Sequence, residues 1–161
     1  MNNIKNYYLF FLIIVFALII GGCKKVDNSL INDEVKTINV NGVTREFILY
    51  IPSTYDSTDS VPLMLNFHGW TMSASEQMNV SDMRDLAESE KFILVYPQGT
   101  KFKNSFYGST HWNVGSWTTG STSDDIGFVD KLIDHMSVNY NIDLERIYAC
   151  GYSNGGFFSH E

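Results

Sequence analysis

Short apolar runs separated by polar stretches divide this chain into strands and helices. Val61 to Phe67 and Phe92 to Tyr96 are near-continuous apolar runs, the pattern of strands covered on both faces of a parallel sheet. Lys36 to Val40 and Val43 to Ile51 flank Asn41-Gly42, a dipeptide suited to a tight hairpin turn. In the second of these runs Phe47, Leu49 and Ile51 alternate imperfectly against Arg45, Ile48 and Tyr50, and Pro52 ends it. Ser75 to Glu90 changes to a helical period, with Met78, Met83, Leu86 and Ala87 on one broad face. The strongest helix is Asp124 to Tyr140, capped by Ser123 or Asp124 and expected to bury Ile126, Val129, Ile133 and Met136 or Val138. Arg146 to Cys150 reads as a last short buried strand. Between these elements, Thr100 to Ser123 has no period and is rich in Gly, Ser, Thr and Trp, and so long a loop is usually functional or disordered. Strands alternating with helices predict an α/β layer fold with a mostly parallel sheet flanked by helices.

The first residues form a separate module. Lys5 precedes the apolar run Tyr7 to Ile20, which is nearer the length of a signal-peptide core than of a membrane span. Ile20-Gly21-Gly22-Cys23 resembles a bacterial lipobox, which implies lipid on Cys23 and a new N-terminus there. The resulting division is a signal peptide at 1–22, a lipidated cysteine and tether at 23–35, and a domain at 36–161. An uncleaved anchor helix is the alternative, and Lys24 and Lys25 slightly favour their own retention inside. In either case the domain is exported, lipid-anchored at the bacterial cell envelope or secreted, and its membrane partner is reached through Cys23.

Composition narrows the partners. The chain has 161 residues, enough for one domain, with 44% hydrophobic and 18% charged residues and a net charge of -7. No cluster of Lys and Arg interleaved with aromatics occurs, so no nucleic-acid partner is expected. Lipid on Cys23 leaves Cys150 without a disulfide partner, a small buried hydrophobe. Neither a His-x-x-x-His nor a Cys-x-x-Cys pair is present, so no metal and no cofactor is expected.

The chemistry is written in Gly151-Tyr152-Ser153-Asn154-Gly155-Gly156, directly after Arg146 to Cys150. Gly-x-Ser-x-Gly on a strand end is a nucleophile elbow, a sharp turn that exposes and aims a serine hydroxyl. Ser153 is the candidate nucleophile, and Gly151 and Gly155 flank it because the turn is strained and closely packed. An oxyanion needs two backbone donors, each worth ~3 to 4 kcal/mol. One is Asn154. The other comes from the loop after Val61 to Phe67, where His68-Gly69-Trp70-Thr71 stands, with Trp70 first and Thr71 second. Trp112, Trp117, Phe106 and Tyr107 either line a site for an aromatic acid or a sugar ring, or anchor the long loop.

On this elbow the triad runs Ser, then Asp or Glu, then His, and only Asn154 to Glu161 follow Ser153. His160 is seven residues on, ~10 Å along a helix axis. His68, His111 and His135 read as structural or surface residues. Asp124 and Asp125 precede the serine and read as helix caps.

His68-Gly69, Tyr96-Pro97, Trp112-Asn113, Asp124-Asp125-Ile126-Gly127-Phe128, Tyr140-Asn141-Ile142-Asp143 and the elbow occur in an order that resembles the polyhydroxybutyrate depolymerase and feruloyl esterase group of α/β-hydrolases. The resemblance runs from about Lys36 to the end and implies the N-terminal half of that fold, truncated after the elbow. It implies a serine carboxylic-ester hydrolase acting on polyesters or on feruloyl and acetyl esters of plant polysaccharides, through an acyl-enzyme on Ser153. The triad acid and histidine are then absent and the missing later strands leave Ile147 to Cys150 as a bare sheet edge, so residues 24–161 alone are expected to be inactive and poorly soluble. Two alternatives stay open: a serine peptidase of the same fold, and a non-catalytic surface lipoprotein that binds glycan or polymer.

Overall fold

The computed structural model describes residues 34–102 and 109–161. The expected signal peptide, Cys23, most of the tether, Phe106 and Tyr107 lie outside the described residues. Strands β1 (Glu34–Val40) and β2 (Val43–Tyr50) form the anticipated hairpin, and Asn41 and Gly42 turn it with φ of 51° and 84°. Then come β3 (Val61–Phe67), helices α1 (Ala74–Val80) and α2 (Arg84–Glu90), and β4 (Ile93–Pro97). Two short strands, β5 (Thr100–Lys101) and β6 (Thr110–His111), precede a 3-10 turn at Gly115–Thr118. Helix α3 (Asp125–Asn139), strand β7 (Ile142–Gly151) and helix α4 (Asn154–Phe158) complete the order.

The main sheet is mixed, in the order β1-β2-β4-β3-β7. The β1–β2 and β2–β4 pairs are antiparallel, whereas β3 runs parallel to both β4 and β7. Leu63 and Leu65 pair with Ile93 and Val95 on one side and with Ile147 and Ala149 on the other. The period of two then sorts β4 between layers: Ile93 and Val95 join Phe128, Leu132 and Met136 of α3, while Leu94 and Tyr96 join Ala74 and Ala87 of α1 and α2. Helices therefore cover both faces of the sheet, as the α/β reading requires.

Three expectations need correction. Ser75 to Glu90 is two helices, because Ser81 to Met83 leave the helical path and are tied to β4. The Tyr96 hydroxyl donates to the Ser81 carbonyl (2.8 Å) and accepts from Met83 N–H (3.1 Å). On α3 the expected Met136 is fully buried and Val129 and Ile133 are half-buried against the same core, but Ile126 and Val138 are exposed and the most buried line is Asp125, Phe128, Leu132 and Met136. Both stripes fit a 3.6-residue period, and the sheet chose the one carrying the aromatic ring. Arg45 shares a face with Phe47 and Leu49 and is buried, because Asp125 meets it there at 2.7 Å. Among the described residues β7 lies at the edge of the sheet, as expected for this fragment, with Ile142 buried, Ile147 packed against the core, and Leu144 and Tyr148 exposed.

The described parts of the long loop carry two short strands that its composition does not signal. β5 and β6 pair antiparallel, Thr100 with His111 and Lys101 with Thr110. Two-residue strands leave no periodic signature in sequence.

Candidate active site

β7 delivers the chain to Ser153 at the edge of the sheet beside the end of β3, where Phe67 pairs with Gly151. Ser153 has φ 49° and ψ -113°, a backbone state that costs a non-glycine residue about 1–3 kcal/mol. The surroundings hold it there. Tyr152 N–H donates to the Phe67 carbonyl (3.0 Å), and Gly155 N–H donates to the Tyr152 carbonyl (2.9 Å). A Cβ on Gly151 would stand 2.5 Å from the backbone of Gly155, and one on Gly155 would stand 2.3 Å from the Phe67 carbonyl oxygen. The flanking glycines thus let α4 pack directly against the end of β3, and Ser153 is left exposed on the outside of the turn.

Two backbone donors accompany the serine. Asn154 opens α4, so its N–H has no intrahelical acceptor. Trp70 follows β3, and among the described residues nothing accepts from its N–H. Gly69 brings this loop against the elbow, since a Cβ there would lie 2.9 Å from the Tyr152 ring and 3.3 Å from its carbonyl oxygen. Thr71 is excluded as the donor: its N–H is bonded to the Thr110 carbonyl at 2.9 Å. That bond comes from β6, 39 residues along the chain, and helps hold Thr71 at φ 67°.

His68 orders the donor loop. Its Nε2 accepts from Gly99 N–H at 2.8 Å, so the ring proton sits on Nδ1 and goes to the Gly69 carbonyl, also at 2.8 Å. Met72 N–H donates to the same carbonyl (3.2 Å). Two donors on that oxygen fix the plane of the Gly69–Trp70 peptide, and with it the direction of Trp70 N–H. Burial pushes the His68 pKa down, with partial opposition from the Gly69 contact and nearby carboxylates. Burial thus favours the neutral ring, and both of its nitrogens serve structural hydrogen bonds.

The elbow is clamped from the other side by Trp112. Asn154 Oδ1 accepts from Trp112 N–H (2.7 Å), its Nδ2 donates to the Trp112 carbonyl (3.1 Å), and Trp112 Nε1 donates to the His68 carbonyl (3.0 Å). The indole is fully buried, near-parallel to Phe158 at 5.0 Å and edge-on to Phe67 at 5.1 Å. Trp112 accordingly anchors the loop and does not line a substrate surface. Trp117 is the opposite case: 75% exposed, it stacks on Phe157, 52% exposed, with ring centroids 5.2 Å apart. Phe157 is one helical turn beyond Ser153, and its N–H donates to the Ser153 carbonyl.

Neither early aspartate is free to orient a base. Asp124 caps α3 by accepting from Gly127 N–H (2.9 Å), as capping logic anticipates. Asp125 is buried and accepts from Arg45, from Ser123 Oγ (2.8 Å) and from Asn113 N–H (2.8 Å). His111 is committed to Thr100 and Ser121, and His135 lies beside Asn139 on α3. His160 lies past the end of α4. Cys150 is a half-buried free thiol whose pKa burial raises, 4.0 Å from Met83 Sδ.

The sequence reading missed three contributors: the Asn154 side chain, Phe157 and the Arg45–Asp125 pair. The only signal for any of them was an arginine in an otherwise apolar strand face.

No protein-family model matches the chain. It is 33% identical over 129 residues to a bifunctional acetylxylan esterase/xylanase of Neocallimastix patriciarum, spanning 78% of this chain and 17% of that protein. It is 30% identical over 116 residues to feruloyl esterase B of Piromyces equi, spanning 72% of this chain and 20% of that protein. Among solved structures, a thermostable esterase superposes with a TM-score of 0.60 at 19% identity, over 79% of this chain and 35% of that one. An acetyl xylan esterase from Aspergillus awamori gives 0.56 at 20% identity, over 76% and 43%. The relatives are feruloyl and acetylxylan esterases, the fold is that of the α/β-hydrolases, and the chain spans only part of it.

Proposed function

We propose that this α/β-hydrolase chain carries the nucleophile and oxyanion hole of a serine carboxylic-ester hydrolase for feruloyl or acetyl esters of plant polysaccharides. The observation that carries the reading is the strained, exposed Ser153 beside two backbone donors, Trp70 and Asn154, that nothing among the described residues satisfies. Its sequence relatives are feruloyl and acetylxylan esterases, which supports an ester over an amide. Ser153 Oγ attacks the ester carbonyl, the two N–H groups take the oxyanion, and the alcohol leaves an acyl-Ser153 that water hydrolyses. The exposed Trp117–Phe157 stack, one turn from the nucleophile, offers a flat face to a ring of the substrate.

The histidines His68 and His111 have both ring nitrogens engaged elsewhere. The proposal therefore takes the general base and its acid from residues outside this sequence. Export of residues 36–161 behind the 1–22 leader, with lipid on Cys23, would bring the site to extracellular polysaccharide. A Cys23→Ser chain that still incorporates labelled fatty acid would remove the anchor from the proposal.

The test starts with the DNA beyond the codon for Glu161. If it encodes a later Asp or Glu and a His, the longer protein should release ferulate or acetate from acylated xylan. Ser153→Ala should lower that rate by about 10⁴-fold or more. Undiminished hydrolysis by Ser153→Ala overturns the assignment. Release of hydroxyacids from polyester in preference to xylan esters would redirect the substrate. A stop codon with no such region favours a binding lipoprotein, for which the Trp117–Phe157 face is the observation in hand.

A further inference from the structure

We propose that Ser121 is a second reactive serine, activated by His111 and accepting acyl groups from small activated esters. The Ser121 hydroxyl lies 2.6 Å from His111 Nε2, and His111 Nδ1 lies 3.0 Å from the Thr100 carbonyl oxygen. A carbonyl can only accept. Nδ1 must therefore carry the ring proton, Nε2 keeps its lone pair, and the Ser121 O–H donates to it. Nucleophile, base and orienter are thus in line, with a backbone carbonyl where a carboxylate often stands.

The arrangement is fixed from several sides. His111 is 1% exposed, pairs with Thr100 across β5 and β6, and packs its ring 4.8 Å from Phe102 and 5.5 Å from Trp70. Ser121 N–H donates to the Thr118 carbonyl (2.9 Å), and Ser123 N–H approaches Ser121 Oγ at 3.4 Å. Ser121 and His111 share the wall of a cavity of about 490 Å³, within the range that admits a small ligand. Two cations also line it. Arg45 is committed to Asp125, which leaves Lys101 to offset charge on an attacked carbonyl.

The step balances without a cofactor. Ser121 Oγ bonds to the carbonyl carbon of an aryl ester while its proton passes to His111 Nε2. The bond between that carbonyl carbon and the aryloxy oxygen breaks, the aryloxide takes the proton from His111 and leaves as the phenol, and Ser121 remains acylated. Nothing in this sequence passes through Ser153, so the inference stands apart from the esterase reading.

An alkyl fluorophosphonate reports the same attack at phosphorus, with fluoride leaving. The full chain, purified in a mild detergent and shown by circular dichroism to be folded, would be treated with it. Digestion and mass spectrometry would then locate the adduct. One adduct on Ser121 is expected, retained in Ser153→Ala and lost in Ser121→Ala. A second control does not depend on a variant folding: wild-type chain unfolded in guanidinium before treatment should lose the label. Absence of any adduct on the folded chain, or labelling of Ser121 that survives unfolding, overturns the inference. Labelling of Ser153 alone overturns it too, while leaving the esterase reading in place.

Discussion

Adjacent glycines in α4 give a test of the elbow that contains its own control. Substituting alanine for Gly155 places a methyl 2.3 Å from the Phe67 carbonyl oxygen and 2.5 Å from that of His68. Both are backbone atoms, so no rotamer can relieve the contact, and α4 must retreat from β3 by roughly an ångström. Overpacking of this kind costs about 1–3 kcal/mol, and contact with main chain puts it at the upper end. The helical preference of alanine over glycine returns about 1 kcal/mol. The net expectation is a loss of about 2 kcal/mol. At Gly156 the nearest atom is the Gly151 carbonyl oxygen at 3.1 Å, which a shift of a few tenths of an ångström accommodates. Gly156→Ala should therefore stay within about 1 kcal/mol of the wild type, helix propensity offsetting the contact. Urea unfolding followed by tryptophan fluorescence measures both. Equal stabilities for the two variants would refute the close packing of α4 on β3. In the proposed esterase the same retreat would move Asn154 N–H, and a displacement of about 1 Å can cost about 100-fold in rate.

Arg45→Met should cost about 3–5 kcal/mol by the same unfolding assay, because it leaves Asp125 buried with its charge uncompensated; a loss below 1 kcal/mol would show that Ser123 and Asn113 suffice for that carboxylate. Burial lowers the His68 pKa below its ordinary 6.5, so the unfolded chain binds more protons than the folded one between that lowered value and 6.5. Stability should accordingly be full above pH 6.5 and decline as pH falls through that window. His68→Gln should flatten this part of the Tm–pH curve, and an unchanged slope would assign the decline to other groups.

The elements that sequence determined are those whose signal is local. The hairpin follows from Asn-Gly at positive φ, and the central strands from apolar runs that only a two-sided burial accommodates. Gly151 and Gly155 follow from a turn whose steric demands exclude other residues on either side of Ser153, the candidate nucleophile. The stripe of α3 was not local in this sense, because Ile126 and Phe128 both begin acceptable helical faces and only contact with the sheet selects one. Trp112 and Trp117 could not be separated by composition either. One fills the space between Phe67, Phe128 and Phe158, and the other lies outside it. The choice of Trp70 over Thr71 as the proposed donor rests on the bond that Thr71 N–H gives to the Thr110 carbonyl, and the pairing of His111 with Ser121 on the closure of β5 against β6. A hydrogen bond is decided by the position of two atoms to within a few tenths of an ångström. When they come from distant parts of the chain, only the packed structure fixes that distance.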